Sequence, residues 1–202
     1  MAGPSWLRWV LAAVFLAVAG YCVVRLVAAH RVSGRYRGCH RALDVAHLVM
    51  GLGMAVMCSP IGGPVPAAGW QTAFLIIAGW FLGTAWHRRR TGAAVDPIGW
   101  HGGGLHHAAA ALAMLYMLTA MPDDAHHMSV AWMGGMPASS GLLGWLFAAY
   151  FAGYAVVLLA RLRSAPSADL PIPAILLAPR ITAGCQLIMT LGTGYLLVPV
   201  GA

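Results

Sequence analysis

Two histidines, His47 and His107, sit inside apolar runs, and methionines follow each at helical intervals. Met50, Met54 and Met57 follow His47, and Met114 and Met117 follow His107 at the same seven- and ten-residue offsets. At about 100° per residue, Met54 lies about 20° from His47 around a helix, Met50 about 60° and Met57 about 80° on that side. His40 falls about 20° and Asp44 about 60° to the other side. These residues therefore form one polar and sulfur-bearing stripe. Thioethers favour soft ions, Cu(I) above all, and imidazole suits copper, iron and zinc. Met57 lies about 15 Å along the axis from His47. The pattern is what a Cu(I) binding site or relay needs, with His47, Met50, Met54, Met57, His107, Met114 and Met117 as ligands. Asp44, one turn from His47, is placed to accept the second imidazole N–H, as carboxylates do behind metal-bound histidines. His126, His127 and Met128 in a loop offer candidate ligands at the mouth of such a path.

The stripe is part of an internal repeat. His47-Leu-Val-Met50-Gly-Leu-Gly-Met54, His107-Ala-Ala-Ala110-Ala-Leu-Ala-Met114 and Gln186-Leu-Ile-Met189-Thr-Leu-Gly-Thr193 align, each preceded by Ala-Gly-aromatic at Gly20, Gly79 and Gly153. Glycine-to-motif spacings are 27, 28 and 33 residues. A repeat of this period fixes architecture: three helical hairpins, about 6–59, 69–121 and 139–199, with the polar side chain on the second helix of each. The three glycines are expected to let helices approach closely. Gln186 is a poor metal ligand and suits a polar network behind the site, so a site would draw on two repeats.

The elements that must carry these residues follow from composition. The chain is 60% hydrophobic and 8% charged, with mean hydropathy +0.77, whereas soluble domains carry about 25% charged residues. An all-α membrane protein is expected: one domain over 1–202, with six spans near 6–29, 42–59, 69–87, 104–121, 139–161 and 180–199, each near the ~20 residues a bilayer needs. Arg31, Arg35, Arg37 and Arg41, then Arg88–Arg90, then Arg161, Arg163 and Arg180 mark three basic loops. The positive-inside rule puts these in the cytoplasm and both termini outside, in a multi-pass protein of the cell membrane. The first apolar run resembles a signal peptide, but it carries a repeat element and its flanking arginines follow it, which argues for a retained span. The net charge of +7 fits anionic lipid and not nucleic acid. The bilayer is then the main partner, and a copper relay implies a metal chaperone or larger membrane complex besides.

Other readings compete. Methionine stripes commonly serve as packing, and a buried histidine can be a neutral hydrogen-bonded group. His40, His101 and His106 read as interfacial. Cys22, Cys39, Cys58 and Cys185 are scattered, with no C-x-x-C and no disulfide framework. No catalytic motif is present, and five carboxylates leave no acid–base pair to work with, so no enzyme is expected. Haem b with His47 and His107 as axial ligands is the first alternative. A non-catalytic assembly subunit is the second.

The segments H-L-V-M-G-L-G-M-A-V-M, H-H-A-A-A-A-L-A-M-L-Y-M and C-Q-L-I-M-T-L-G together resemble a group of small actinobacterial integral membrane proteins catalogued as a domain of unknown function. The likeness runs through nearly the whole chain. It implies no activity, cofactor or site residue, so the chemistry rests on the residues above.

Overall fold

A computed structural model describes residues 5–31, 38–59, 61, 63–92, 104–119, 142–164 and 179–197. Among these residues the structure is all-helical: α1 (Ser5–Arg31), α2 (Gly38–Cys58), α3 (Ala67–Arg90), α4 (Gly104–Thr119), α5 (Leu142–Ser164) and α6 (Pro179–Leu197). The apolar runs become helices because backbone groups away from water must pair within their own segment. Helix ends follow local chemistry. Pro179 opens α6 at the position where a missing N–H costs nothing. His87 and Arg88–Arg90 fill the last turn of α3, where cations meet the negative end of the helix dipole. Gly92 follows at φ 66°, its N–H donating to the Arg89 carbonyl, a left-handed stop that glycine adopts without penalty.

Helices α1, α2 and α5 are long and apolar enough to cross a membrane, and α4 and part of α6 are shorter apolar helices. The closest packing joins α1 to α2, α3 to α4 and α5 to α6, while α2, α4 and α6 also meet one another. Arg8, early in α1, donates to the Ser59 carbonyl just past α2, and Arg25, late in α1, pairs with Asp44 early in α2. Those two links make α1 and α2 antiparallel.

Lipid tails are as apolar as leucine, so helices in a bilayer associate by close packing and not by the hydrophobic effect. Two glycines of the repeated motif serve that end. A Cβ at Gly53 would lie 2.6 Å from Phe74 Cζ, and one at Gly192 would collide with the Phe15 ring and come within 2.9 Å of Met54 Cε. These positions are equivalent, six residues after His47 and Gln186. The Ala-Gly-aromatic glycines behave otherwise. Gly20, Gly79 and Gly153 have no neighbour within 4 Å of an added Cβ, so the close approach expected at them occurs instead at Gly53 and Gly192. Repetition preserved their place on the outward side, not a contact.

Candidate metal and polar site

The stripe foreseen on α2 is the face that α2 buries. Asp44, His47, Met50, Met54 and Met57 are all inside, because the helical period puts them on the side where α1, α4 and α6 pack. On α4 the burial runs almost all round, and His106, His107, Met114 and Met117 are covered alike.

His47 and His107 meet. Their Nε2 atoms are 3.1 Å apart, with ring planes inclined at 70°. One ring donates its N–H and the other accepts. Phe81 covers His107 from α3, with centroids 5.2 Å apart. The pair borders a small cavity of about 10 Å³ lined also by Met50, His106, Gln186 and Met189, about the room that one water requires.

His106, expected to face the interface, turns into the bundle. It is buried, and both of its ring nitrogens have partners: Nδ1 lies 3.3 Å from Tyr150 Oη and Nε2 lies 3.2 Å from Thr190 Oγ1. The tautomer follows from the network. Thr190 donates its single O–H to the Gln186 carbonyl at 2.7 Å, so toward His106 it accepts, and Nε2 carries the proton. In the neutral ring Nδ1 is then an acceptor, filled by the Tyr150 hydroxyl. Gln186 donates to Tyr154 Oη at 2.9 Å, which places it in a polar network beside the cavity, as its chemistry led one to expect.

The remaining methionines are placed differently. Met54, Met57, Met114 and Met117 lie in the apolar core and do not line the cavity. Thr193 donates to the Met189 carbonyl at 2.9 Å and reaches Met54 Sδ at 3.8 Å. Among the described methionine candidates only Met50 shares the cavity with the two histidines, and Met189, which sequence reasoning left as a repeat residue, joins it there. His126, His127 and Met128 lie outside the described residues, as does the side chain of His40.

Asp44 is ion-paired with a cation on α1. Arg25 Nε is 3.4 Å from its Oδ2, both side chains are buried, and Arg25 Nη1 also donates to Thr182 on α6. Arg25 escaped the sequence reading, although an arginine seventeen residues after Arg8 inside an apolar run is the sort of group that marks a buried partner. Tyr150 escaped it as well, and Tyr154 and Thr190 entered it only as members of the repeated segments, with no role assigned.

No curated protein and no solved structure matches this chain. The family described as Domain of unknown function (DUF5134) matches residues 39–200. The match takes in α2 through α6, and with them His47, His106, His107 and Gln186; the chain belongs to that family.

Proposed function

We propose that this chain is a multi-pass membrane protein that binds Cu(I) between α2 and α4, with His47 and His107 as its nitrogen ligands and Met50 as a sulfur ligand. The observation that carries the reading is the 3.1 Å separation of the two Nε2 atoms beside a cavity lined by thioethers. Two metal–nitrogen bonds of about 2.0 Å at a tetrahedral angle hold their nitrogens about 3.3 Å apart. The pair is therefore already spaced for chelation. An ion entering takes the place of the shared proton, which leaves to solvent, so that the ring that carried it balances the ion's charge. Met189 offers a second thioether from α6, and imidazole with thioether is a donor set suited to Cu(I).

The same geometry weighs against haem. Axial ligands stand on opposite faces of a porphyrin, about 4 Å apart through the iron, and a cavity of about 10 Å³ has no room for the ring. His106 keeps out of the ligand set because both its nitrogens are engaged.

In this reading all six helices cross the bilayer as three hairpins with both termini outside. Trp6, Trp9 and Trp145 near the outer ends and Trp86 near an inner end are all more than half exposed, as in the aromatic belts of membrane interfaces. Arg90 stacks on Trp86 at 4.8 Å, at the basic edge that the positive-inside rule puts in the cytoplasm. A copper chaperone or a larger membrane complex is the natural partner of a protein that holds one ion.

The test is a competition titration of the detergent-purified protein with a chromogenic Cu(I) chelator, with metal content by mass spectrometry and an absorption spectrum of the same sample. Wild type should hold Cu(I), and His47→Ala and His107→Ala should each lose at least about 10-fold in affinity. A wild type that takes up no Cu(I) ends the reading, and a Soret band with iron replaces it with haem.

A further inference from the structure

A second group of potential ligands lies beside the first. Cys22 on α1 and Asp44 and His47 on α2 place a thiol sulfur, a carboxylate oxygen and a ring nitrogen within 4.8 Å of one another, all buried. A trigonal ion with bonds of about 2.0–2.3 Å holds its ligands about 3.7 Å apart, so closing the group on an ion requires a contraction of about 1 Å at most. The three side chains come from two antiparallel helices tied at this level by the Arg25–Asp44 pair, which sets the distance between them.

Charge selects the ion. Arg25 and Asp44 already sum to zero, and a net charge is costly so far from water. A monovalent cation that displaces the Cys22 proton leaves the group neutral: one metal charge and the guanidinium against one thiolate and one carboxylate, with neutral His47. A divalent ion in the same place leaves a net positive charge. Thiolate together with imidazole selects soft metals. An ionised carboxylate has about four acceptor positions, so Asp44 serves both Arg25 and an ion.

We infer that Cys22, Asp44 and His47 form a second site, for a soft monovalent cation of the Cu(I) or Ag(I) class, adjacent to the His47–His107 pair and sharing His47 with it. The binding step forms a sulfur–metal bond and sends the Cys22 thiol proton to solvent, with no change in oxidation state. When both sites are filled, His47 bridges them as an imidazolate, one ion on each ring nitrogen, its N–H proton also leaving to solvent. Two monovalent ions and the guanidinium then balance the thiolate, the carboxylate and the imidazolate. Asp44 is one turn nearer the start of α2 than His47, on the side of the basic loop. The shared imidazole thus stands between a cavity site deeper in the bundle and a thiolate site nearer that loop, an arrangement in which an ion passes from one to the other.

The inference shares the soft-metal reading of His47, but Cys22 lies outside the cavity, and the experiment separates the two. Purified full-length protein is equilibrated with Ag(I), and bound silver is counted by mass spectrometry after removal of free ion. Wild type should bind about two equivalents. Cys22→Ser and Cys22→Ala, both smaller than cysteine, should lose about one of them while eluting as folded protein. Cys58→Ser, which removes a thiol packed in the core, should match wild type. His107→Ala should lose the other equivalent and keep the Cys22 site. Undiminished silver in both Cys22 variants overturns the second site and leaves the first standing. Undiminished silver in His107→Ala with loss in the Cys22 variants does the reverse. If Cd(II) or Zn(II) binds the Cys22 group as well as Ag(I) does, the charge argument fails and with it the assignment to a monovalent ion.

Discussion

The imidazole of His106 lies flat against the ring of Tyr154, with centroids 3.6 Å apart and planes 9° from parallel. The stack holds the ring so that one nitrogen meets α5 at Tyr150 and the other meets α6 at Thr190. Its neighbour His107 points to α2 instead, since successive residues on a helix diverge by about 100°. Thr190→Val keeps the shape but leaves the Nε2–H of His106 without an acceptor. That change should cost about 1–3 kcal/mol, read as a lower midpoint of unfolding in detergent, whereas Thr190→Ser should hold close to wild type. Equal midpoints for the Val and Ser variants would remove the hydrogen bond from the account.

The candidate methionines of α2 and α4 divide into one that borders the cavity, Met50, and four that pack. Met50→Leu should weaken Cu(I) binding several-fold while leaving the unfolding midpoint nearly unchanged. Met54→Leu, Met57→Leu and Met114→Leu conserve volume and should each cost less than about 1.5 kcal/mol, with copper affinity as in wild type. If Met54→Leu weakens copper as much as Met50→Leu does, the ion travels the whole methionine column and the boundary drawn here is misplaced.

Glycines of the two kinds should respond oppositely to alanine. Gly53→Ala and Gly192→Ala force a methyl into Phe74, or into Phe15 and Met54, and should destabilise by about 1–3 kcal/mol. Gly20→Ala, Gly79→Ala and Gly153→Ala meet open space and should be neutral or gain up to about 1 kcal/mol from reduced backbone freedom. Thermal melts of the five variants under one set of conditions decide it.

Removing one member of the buried Arg25–Asp44 pair strands the other. Arg25→Leu or Asp44→Leu alone should cost about 3–5 kcal/mol, and the double substitution should recover much of that loss. Denaturant unfolding of the four proteins gives the coupling directly, and strictly additive losses would contradict the pairing.

Much of this arrangement is legible in the sequence because two periodicities are strong. The apolar runs give the six helices to within a few residues, and the helical period gives the buried stripe of α2. Three of the six, α1, α2 and α5, are long and apolar enough to cross a bilayer. The partners of His106 are hidden in the sequence for a physical reason. A helix covered on every side has no polar face to betray which residues are partnered, so a histidine in the first turn of α4 looks the same in sequence whether it meets water or Thr190. The outward glycines were misread because a repeat conserves position around a helix without saying whether a neighbour is there. Arg25 carries a signal in its type alone, and its partner Asp44, nineteen residues on in another helix, is found only when α1 and α2 are laid side by side.

The enclosure of α4 has a further consequence. A helix exposed to lipid feels the thickness of the bilayer and tilts or stretches to match it, at a cost that grows with each ångström of mismatch. In the six-span arrangement proposed above, α4 instead meets its neighbours over most of its described surface, with Leu112 and Thr119 left exposed. On that arrangement the outer helices would take up such mismatch, with α4 held by its neighbours. His106 and His107, in its first turn, should then keep the same spacing to α2 and α6 in thick and thin membranes alike.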